Sequence, residues 1–247
     1  MEAEKLFGLF KRKKKEAEPY CAAVVVAAGS STRMGRDKLM LELAGTPVVI
    51  HTLRALDLCP QIHEIIVVTR EDLMVPISKL CAEFALAKVR KIVVGGSTRA
   101  QSVNNGVQEV SKQTRLIAIH DGARPLVSQN VLQEVIAAAA KCNAAAPAVP
   151  VKDTIKCAEN GIVTDTPERA KLYAVQTPQV FEADVIRAAL YKAVDENLPI
   201  TDDCSAVELL GMKVTLTQGA DENIKITTPA DLVLAEALLA WRNEGLQ

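Results

Sequence analysis

From residue 21 the chain alternates short apolar runs with amphipathic stretches. CAAVVVAAG, residues 21–29, is an unbroken apolar run ending in glycine, the pattern of a parallel strand buried on both faces. Polar SSTRMGRDK follows, and then TPVVIHTLRALD, whose apolar positions recur at helical spacing behind Pro47. The alternation returns in EIIVVT (64–69) before VPISKLCAEFA, in VRKIVVGG (89–96) before TRAQSVNNGVQEV, and in RLIAIHDGARP (115–125) before QNVLQEVIAAAAK. Strands and helices in this order predict βαβ crossovers. The fold class is α/β, with a Rossmann-like, mainly parallel twisted sheet flanked by helices.

After Asn143 the alternation breaks. Residues 144–181 hold strand-like pieces, a turn signal at Asn160 followed by Gly161, and little helical periodicity. This predicts a β-hairpin arm over about residues 151–175 that projects from the sheet. Helical spacing resumes in EADVIRAALYKAV, and a last βα unit follows in KVTLTQG and TPADLVLAEALLAWRNEG. An arm of this length cannot bury both faces alone. Docking against a second copy would solve that, so a homodimer through the β-arm is expected.

Composition narrows the class. A length of 247 residues suits one large α/β domain, and 49% hydrophobic with 24% charged residues is ordinary globular usage. With 29 Lys and Arg against 30 Asp and Glu, charge balance gives no reason to expect nucleic-acid binding. Six of the basic and four of the acidic groups fall in the first twenty residues, leaving a mildly acidic body. That segment has its basic run, residues 11–15, after its few apolar residues, the wrong order for a secretory signal. A solvated tail over residues 1–20 is the main expectation, with a weak amphipathic membrane contact or a nucleic-acid patch as alternatives. No stretch approaches a membrane span of roughly 18 apolar residues. The six scattered cysteines form no CxxC pair and, with three histidines, leave little material for a zinc site. Reduced thiols and a cytoplasmic location are expected.

Chemistry concentrates at strand ends, where open parallel sheets bind ligands. The first loop, AAGSSTRMGRDK (27–38), combines small residues that let backbone N–H groups approach phosphate oxygens with two cations, Arg33 and Lys38. It is neither a Walker A loop, GxxxxGKS/T, nor a GxGxxG fingerprint. Such a loop fits a nucleoside triphosphate whose charge is neutralised during attack at the α-phosphorus. GGSTRAQS has two glycines at a strand end, which allow backbone groups to read a base edge. Arg99 in that segment either anchors a ligand or is a surface charge at a helix start. In HDGARP, Asp121 is placed to hold Mg²⁺ or a substrate hydroxyl; the alternative is a structural salt bridge from Asp121 to Arg124. His120 reads as a packing residue.

AAGSSTRMGRDK resembles the signature of nucleotidyltransferases that join sugar phosphates to nucleoside triphosphates. Together with GGSTRAQSV, HDGARP, AVQTPQVF, TDDCSAVE and NIKITTPADL, in that order, it resembles the 2-C-methyl-D-erythritol 4-phosphate cytidylyltransferases from about residue 21 to about residue 241. The resemblance makes residues 21–247 a nucleotidyltransferase domain of non-mevalonate isoprenoid precursor synthesis. It implies CTP and a polyol phosphate as substrates, with Mg²⁺ as the divalent cation. It implies that Arg33, Lys38 and Lys225 stabilise charge, and that Ala27, Ala28, Gly29, Gly96, Ser97 and Ser102 line the cytidine pocket. Ser97 departs from the Asp usual in the family, and Gly122 from the usual Ala. Asp121, Arg124, Thr177, Thr201 and Asp202 are implied to complete the substrate shell. Thr154 and Arg169 are implied to reach the substrate phosphate across the dimer interface, where a guanidinium suits a phosphate monoester. A cytidylyltransferase for another polyol phosphate, such as ribitol 5-phosphate, is the nearest alternative. A catalytically silent nucleotide-binding protein of the same fold is the other.

Overall fold

The computed structural model describes residues 18–29 and 37–245. Most of the expected tail and the expected site residue Arg33 therefore lie outside the described residues.

Strand β1 (Cys21–Ala27) is buried on both faces, as its unbroken apolar run requires. Cys21, Ala23, Val25 and Ala27 face one cluster, while Ala22 and Val24 face the other. This two-sided alternation places β1 in the middle of the sheet, parallel to β4 (Ile62–Thr69) on one side and β6 (Leu116–Asp121) on the other. Beyond β4 lies β5 (Val89–Val94), also parallel.

The eight-stranded sheet continues past β6 through β11 (Gln179–Glu182), which runs antiparallel both to β6 and to β7 (Ala144–Pro150). Two more strands flank β7: β10 (Tyr173–Val175) antiparallel and β12 (Thr215–Gln218) parallel. The sheet is thus mainly parallel, with β10 and β11 reversed. Short runs such as AVQTPQVF carry no directional signal, so this reversal was not legible in the sequence.

Helices α1 (Val48–Asp57), α2 (Glu71–Glu83) and α4 (Gln129–Cys142) cover one face with Val49, Leu53, Ile77, Val131 and Val135. The other face is covered by α3 (Arg99–Gln108), α5 (Ala183–Asp195) and α6 (Asp203–Glu208), through Val103, Val107, Ile186, Leu190 and Val207. A smaller cluster of Leu43, Val48, Leu126, Ile226 and Ala235 seats α7 (Pro229–Asn243). Ahead of α1 lies a small hairpin of β2 (Glu42–Leu43) and β3 (Thr46–Pro47). Its two loop residues have positive φ, 49° at Ala44 and 76° at Gly45, as a type I′ turn demands.

The projecting arm contains the expected hairpin, β8 (Cys157–Glu159) paired antiparallel with β9 (Ile162–Asp165). Asn160 and Gly161 turn it with φ of 50° and 79°. Every residue of both strands is exposed, including Ile162 and Val163. The last residues assigned to the arm, Tyr173–Val175, form β10 on the main sheet. Among the described residues no helix is long and apolar enough to cross a membrane. All six cysteines are free, and Cys21, Cys59, Cys81 and Cys204 are buried.

Candidate active site

Three strand ends converge on one cleft. At the end of β1, Ala27 leads into Ala28 and Gly29, and the chain returns at Asp37 and Lys38. Arg70, just beyond β4, ties these two loop ends together. Its Nη1 donates to the Gly29 carbonyl at 3.3 Å, and its Nη2 lies 2.6 Å from Asp37 Oδ2. Asp37 Oδ1 in turn accepts from the Leu39 N–H at 3.0 Å, which fixes the backbone around Lys38.

At the end of β5 comes the GGSTRAQS segment. Gly95 is required by close approach, since a Cβ there would stand 2.5 Å from the Ala28 Cβ and 2.9 Å from Ser102 Oγ. The loop is braced from within. Ser102 Oγ accepts from the Gly96 N–H at 3.0 Å, and Thr98 caps α3 by accepting from the Gln101 N–H at 3.1 Å. Both the N–H and the hydroxyl of Ser97 donate to Gln101 Oε1, at 2.9 and 2.7 Å.

Asp121, the last residue of β6, is surrounded by cations. Lys225 Nζ is 2.8 Å from its Oδ2, Arg124 Nε is 3.6 Å from the same oxygen, and Arg99 Nη2 is 3.9 Å from Oδ1. Burial alone would push this carboxyl up, but Lys225, Arg99 and Arg124 outweigh it and hold it below the usual carboxylate range. Its backbone is held by a relay. The Asp121 N–H donates to Thr177 Oγ1 at 3.1 Å, and Thr177 Oγ1 lies 3.0 Å from Nδ1 of fully buried His120. Burial drives His120 down to about 4, so the ring is neutral at pH 7. Thr177 therefore donates its hydroxyl proton to Nδ1, and Nε2–H donates to the Arg124 carbonyl at 3.3 Å.

Together these ends enclose a cavity of about 370 Å³. Of the residues expected from the sequence, Ala27, Ala28, Gly29, Lys38, Gly96, Ser97, Ser102, Asp121 and Lys225 line it. Arg124 does not. Its Nη1 donates to the Asn223 carbonyl at 2.6 Å, and the Ile226 N–H donates to the Ala123 carbonyl at 2.9 Å. These two bonds pin the segment that carries Lys225. Thr177 faces the interior relay. Asp202 is the N-cap of α6, accepting from the Ser205 N–H at 2.9 Å. Thr201 precedes it and is exposed. Thr154 and Arg169 lie in the exposed arm, where Arg169 Nη1 donates to the Lys152 carbonyl at 3.1 Å; neither lines this chain's own cleft.

Three residues of the site carry little signal in the sequence. Arg99, a ligand anchor or a surface charge on sequence alone, stands in the cleft wall, bonded to Asp203. Arg70 went unremarked, since nothing in its surroundings shows that the first loop returns beside it. Asp203 has no local signal of its own, whereas the D-x-x-S spacing of Asp202 and Ser205 is a capping signature for Asp202.

The profile of the 2-C-methyl-D-erythritol 4-phosphate cytidylyltransferase family matches residues 21–241. The chain is 49% identical over 226 residues to the 2-C-methyl-D-erythritol 4-phosphate cytidylyltransferase of Caldanaerobacter subterraneus subsp. tengcongensis, covering 88% of this chain and 98% of that one. It is 44% identical over 229 residues to the protein of that name from Desulforamulus reducens, covering 90% and 96%. Among solved structures, 4-diphosphocytidyl-2C-methyl-D-erythritol synthase from Anaerococcus prevotii superposes with a TM-score of 0.82 at 32% identity, over 90% of this chain and 97% of that one.

Proposed function

The chain belongs to the 2-C-methyl-D-erythritol 4-phosphate cytidylyltransferase family, and we propose that it condenses CTP with that polyol phosphate. The products are 4-diphosphocytidyl-2-C-methyl-D-erythritol and pyrophosphate, a step of isoprenoid precursor synthesis. The observation that carries the reading is the cleft itself. A braced, backbone-rich loop at Gly96, Ser97 and Ser102 lines one cavity together with the cations Lys38 and Lys225.

The substrate phosphate is already ionised at neutral pH, so its oxygen can attack the α-phosphorus without a strong general base. The new P–O bond forms as the bond to pyrophosphate breaks. Lys38 and Lys225, joined by Arg33, stabilise the negative charge that builds there, and the loop end at Ala28 and Gly29 offers its backbone to phosphate oxygens. Neutral, buried His120 takes no proton in this scheme.

Among the described residues no cluster of three or more ligating side chains exists. Mg²⁺ would be held by Asp121, the one acidic side chain among the described residues lining the cavity, with phosphate oxygens and water supplying its other ligands. When bound, the cation neutralises triphosphate charge.

Two copies would pair through the arm, so that Thr154 and Arg169 of one serve the cleft of the other; neither residue lines the cleft of its own chain, which supports this. The free, mostly buried thiols support a cytoplasmic setting.

The test is pyrophosphate release from CTP with methylerythritol phosphate and ribitol 5-phosphate supplied separately. Turnover should require methylerythritol phosphate and a divalent cation, and should favour CTP over UTP and ATP. Preference for ribitol 5-phosphate would move the enzyme to the other polyol class. No release with either would leave a silent nucleotide-binding protein.

A further inference from the structure

Arg99 opens α3, one residue after the Thr98 cap, and its side chain crosses to a carboxylate 104 positions along the chain. Asp203 is completely buried. Its two oxygens accept from Arg99 Nη1 at 2.9 Å and Nη2 at 2.7 Å, a bidentate pair that fixes the plane of the guanidinium as well as its position.

The anchor is itself held from behind. The N–H groups of Asp203 and Cys204 both donate to Gln179 Oε1 at 3.0 Å. The amide nitrogen of buried Gln179 donates to Asp202 Oδ2 at 2.7 Å, and Asp202 caps the same helix. The backbone of Asp203 is thus fixed by bonds that do not involve Arg99. The loop must follow the anchor.

On its other side Arg99 borders the cleft, with Nη2 3.9 Å from Asp121 Oδ1. The pair therefore joins three segments far apart in sequence: the loop at 95–102, the end of β6, and the start of α6. We propose that Arg99, anchored by Asp203, is a positioning residue that holds the base-reading loop in register with Asp121. CTP affinity and the choice of base then depend on a carboxylate that lies outside the cleft. This rests on the reading that the cleft takes CTP.

Asp203→Asn removes the charge at constant size, and Arg99→Lys keeps a cation but loses the planar fork. Each variant is measured below its Tm with its fold checked by circular dichroism. In each, KM for CTP should rise roughly tenfold, short of the roughly 10²-fold that a full 1 Å misplacement can cost. The preference for CTP over UTP in kcat/KM should shrink about fivefold or more, while kcat stays within about threefold of the parent. A combined Arg99→Gln and Asp203→Asn variant, which removes both charges together, serves where a single variant does not fold. KM and base preference within twofold of the parent, with only Tm lowered, would reduce the pair to structural support. A tenfold fall in kcat with KM unchanged would place Arg99 at the reacting phosphates instead. Either result overturns the proposal. A parent enzyme that neither binds nor turns over CTP would sink the proposed function, whereas a selective parent with equally selective variants sinks this inference alone.

Discussion

Asp121 faces three cations, of which Arg99 is also paired with Asp203, and Lys38 adds another cation to the lining, so among the described residues the cleft keeps a positive surplus. That surplus suits a polyanionic ligand and gives the cations different tasks. Arg124 is mostly buried and spends its hydrogen bonds on Asn223, while Lys225 is over a third exposed and borders the cavity. The solvent-facing cation is the one that can reach a phosphate in the cleft. Replacing Lys225 by Met should therefore lower kcat by roughly 10²-fold, the scale of losing one charge-stabilising donor. The fold should survive, since Asp121 keeps Arg99 and Arg124 as its other cations. Steady-state kinetics with a thermal melt decides it, and a kcat within threefold of the parent removes Lys225 from the chemistry. The sequence motifs identify all these residues yet cannot divide them in this way. Arg124 and Lys225 look alike as charges in polar segments. Their roles diverge only because the Asn223 carbonyl folds back over Arg124.

Among the elements, α3 depends on a glycine that propensity argues against. Gly106 lies inside the helix, where alanine would ordinarily gain about 1 kcal/mol. A Cβ there would stand 2.5 Å from Val24 Cγ1 and 2.6 Å from Val68 Cγ2, side chains that are completely buried on β1 and β4. Neither valine can retreat, and overpacking of this kind costs roughly 1–3 kcal/mol. The steric cost exceeds the propensity gain, so Gly106→Ala should lower Tm by a few degrees, at about 2–4 °C per kcal/mol for a domain of this size. A melt showing equal or higher Tm would mean that the helix can lift from the sheet. Unbroken apolar runs mark β1, β4 and β6, and the 3.6 period marks their helices, because each buries a continuous face. They are silent on β10 and β11, three and four residues long, whose direction is set by pairing with β7 and β6. The Asn160 and Gly161 turn was legible for a local reason, its need for positive φ at both positions. Contact between Gly95 and Ala28 is long-range, and no local pattern encodes it.

At the scale of the whole molecule, the unfinished part is the arm. Ile162 is 72% exposed and Val163 55%, on a two-stranded hairpin too small to be stable in water by itself. Tyr173 and Val175 on the neighbouring edge strand are also exposed. Thr154 and Arg169 lie on the same projection, away from the cleft of their own chain. A closed twofold dimer would cover the apolar residues and carry Arg169 towards the partner's cleft, making each site a product of two chains. The test mixes two inactive variants, Lys38→Ala and Arg169→Ala, under conditions where subunits exchange. In a mixed dimer with shared sites, one cleft joins an intact Lys38 from one chain with an intact Arg169 from the other, and the second cleft has neither. Random exchange makes about half of the dimers mixed, each with one working site of two, so activity should climb towards about a quarter of the parent level. Native mass spectrometry on differently tagged chains establishes that exchange took place. If mixed dimers form and activity stays at the level of the separate variants, Arg169 serves its own chain and the arm contributes only to assembly. If only monomers are present and the parent is fully active, the arm's exposed face has some other purpose and the shared site is excluded.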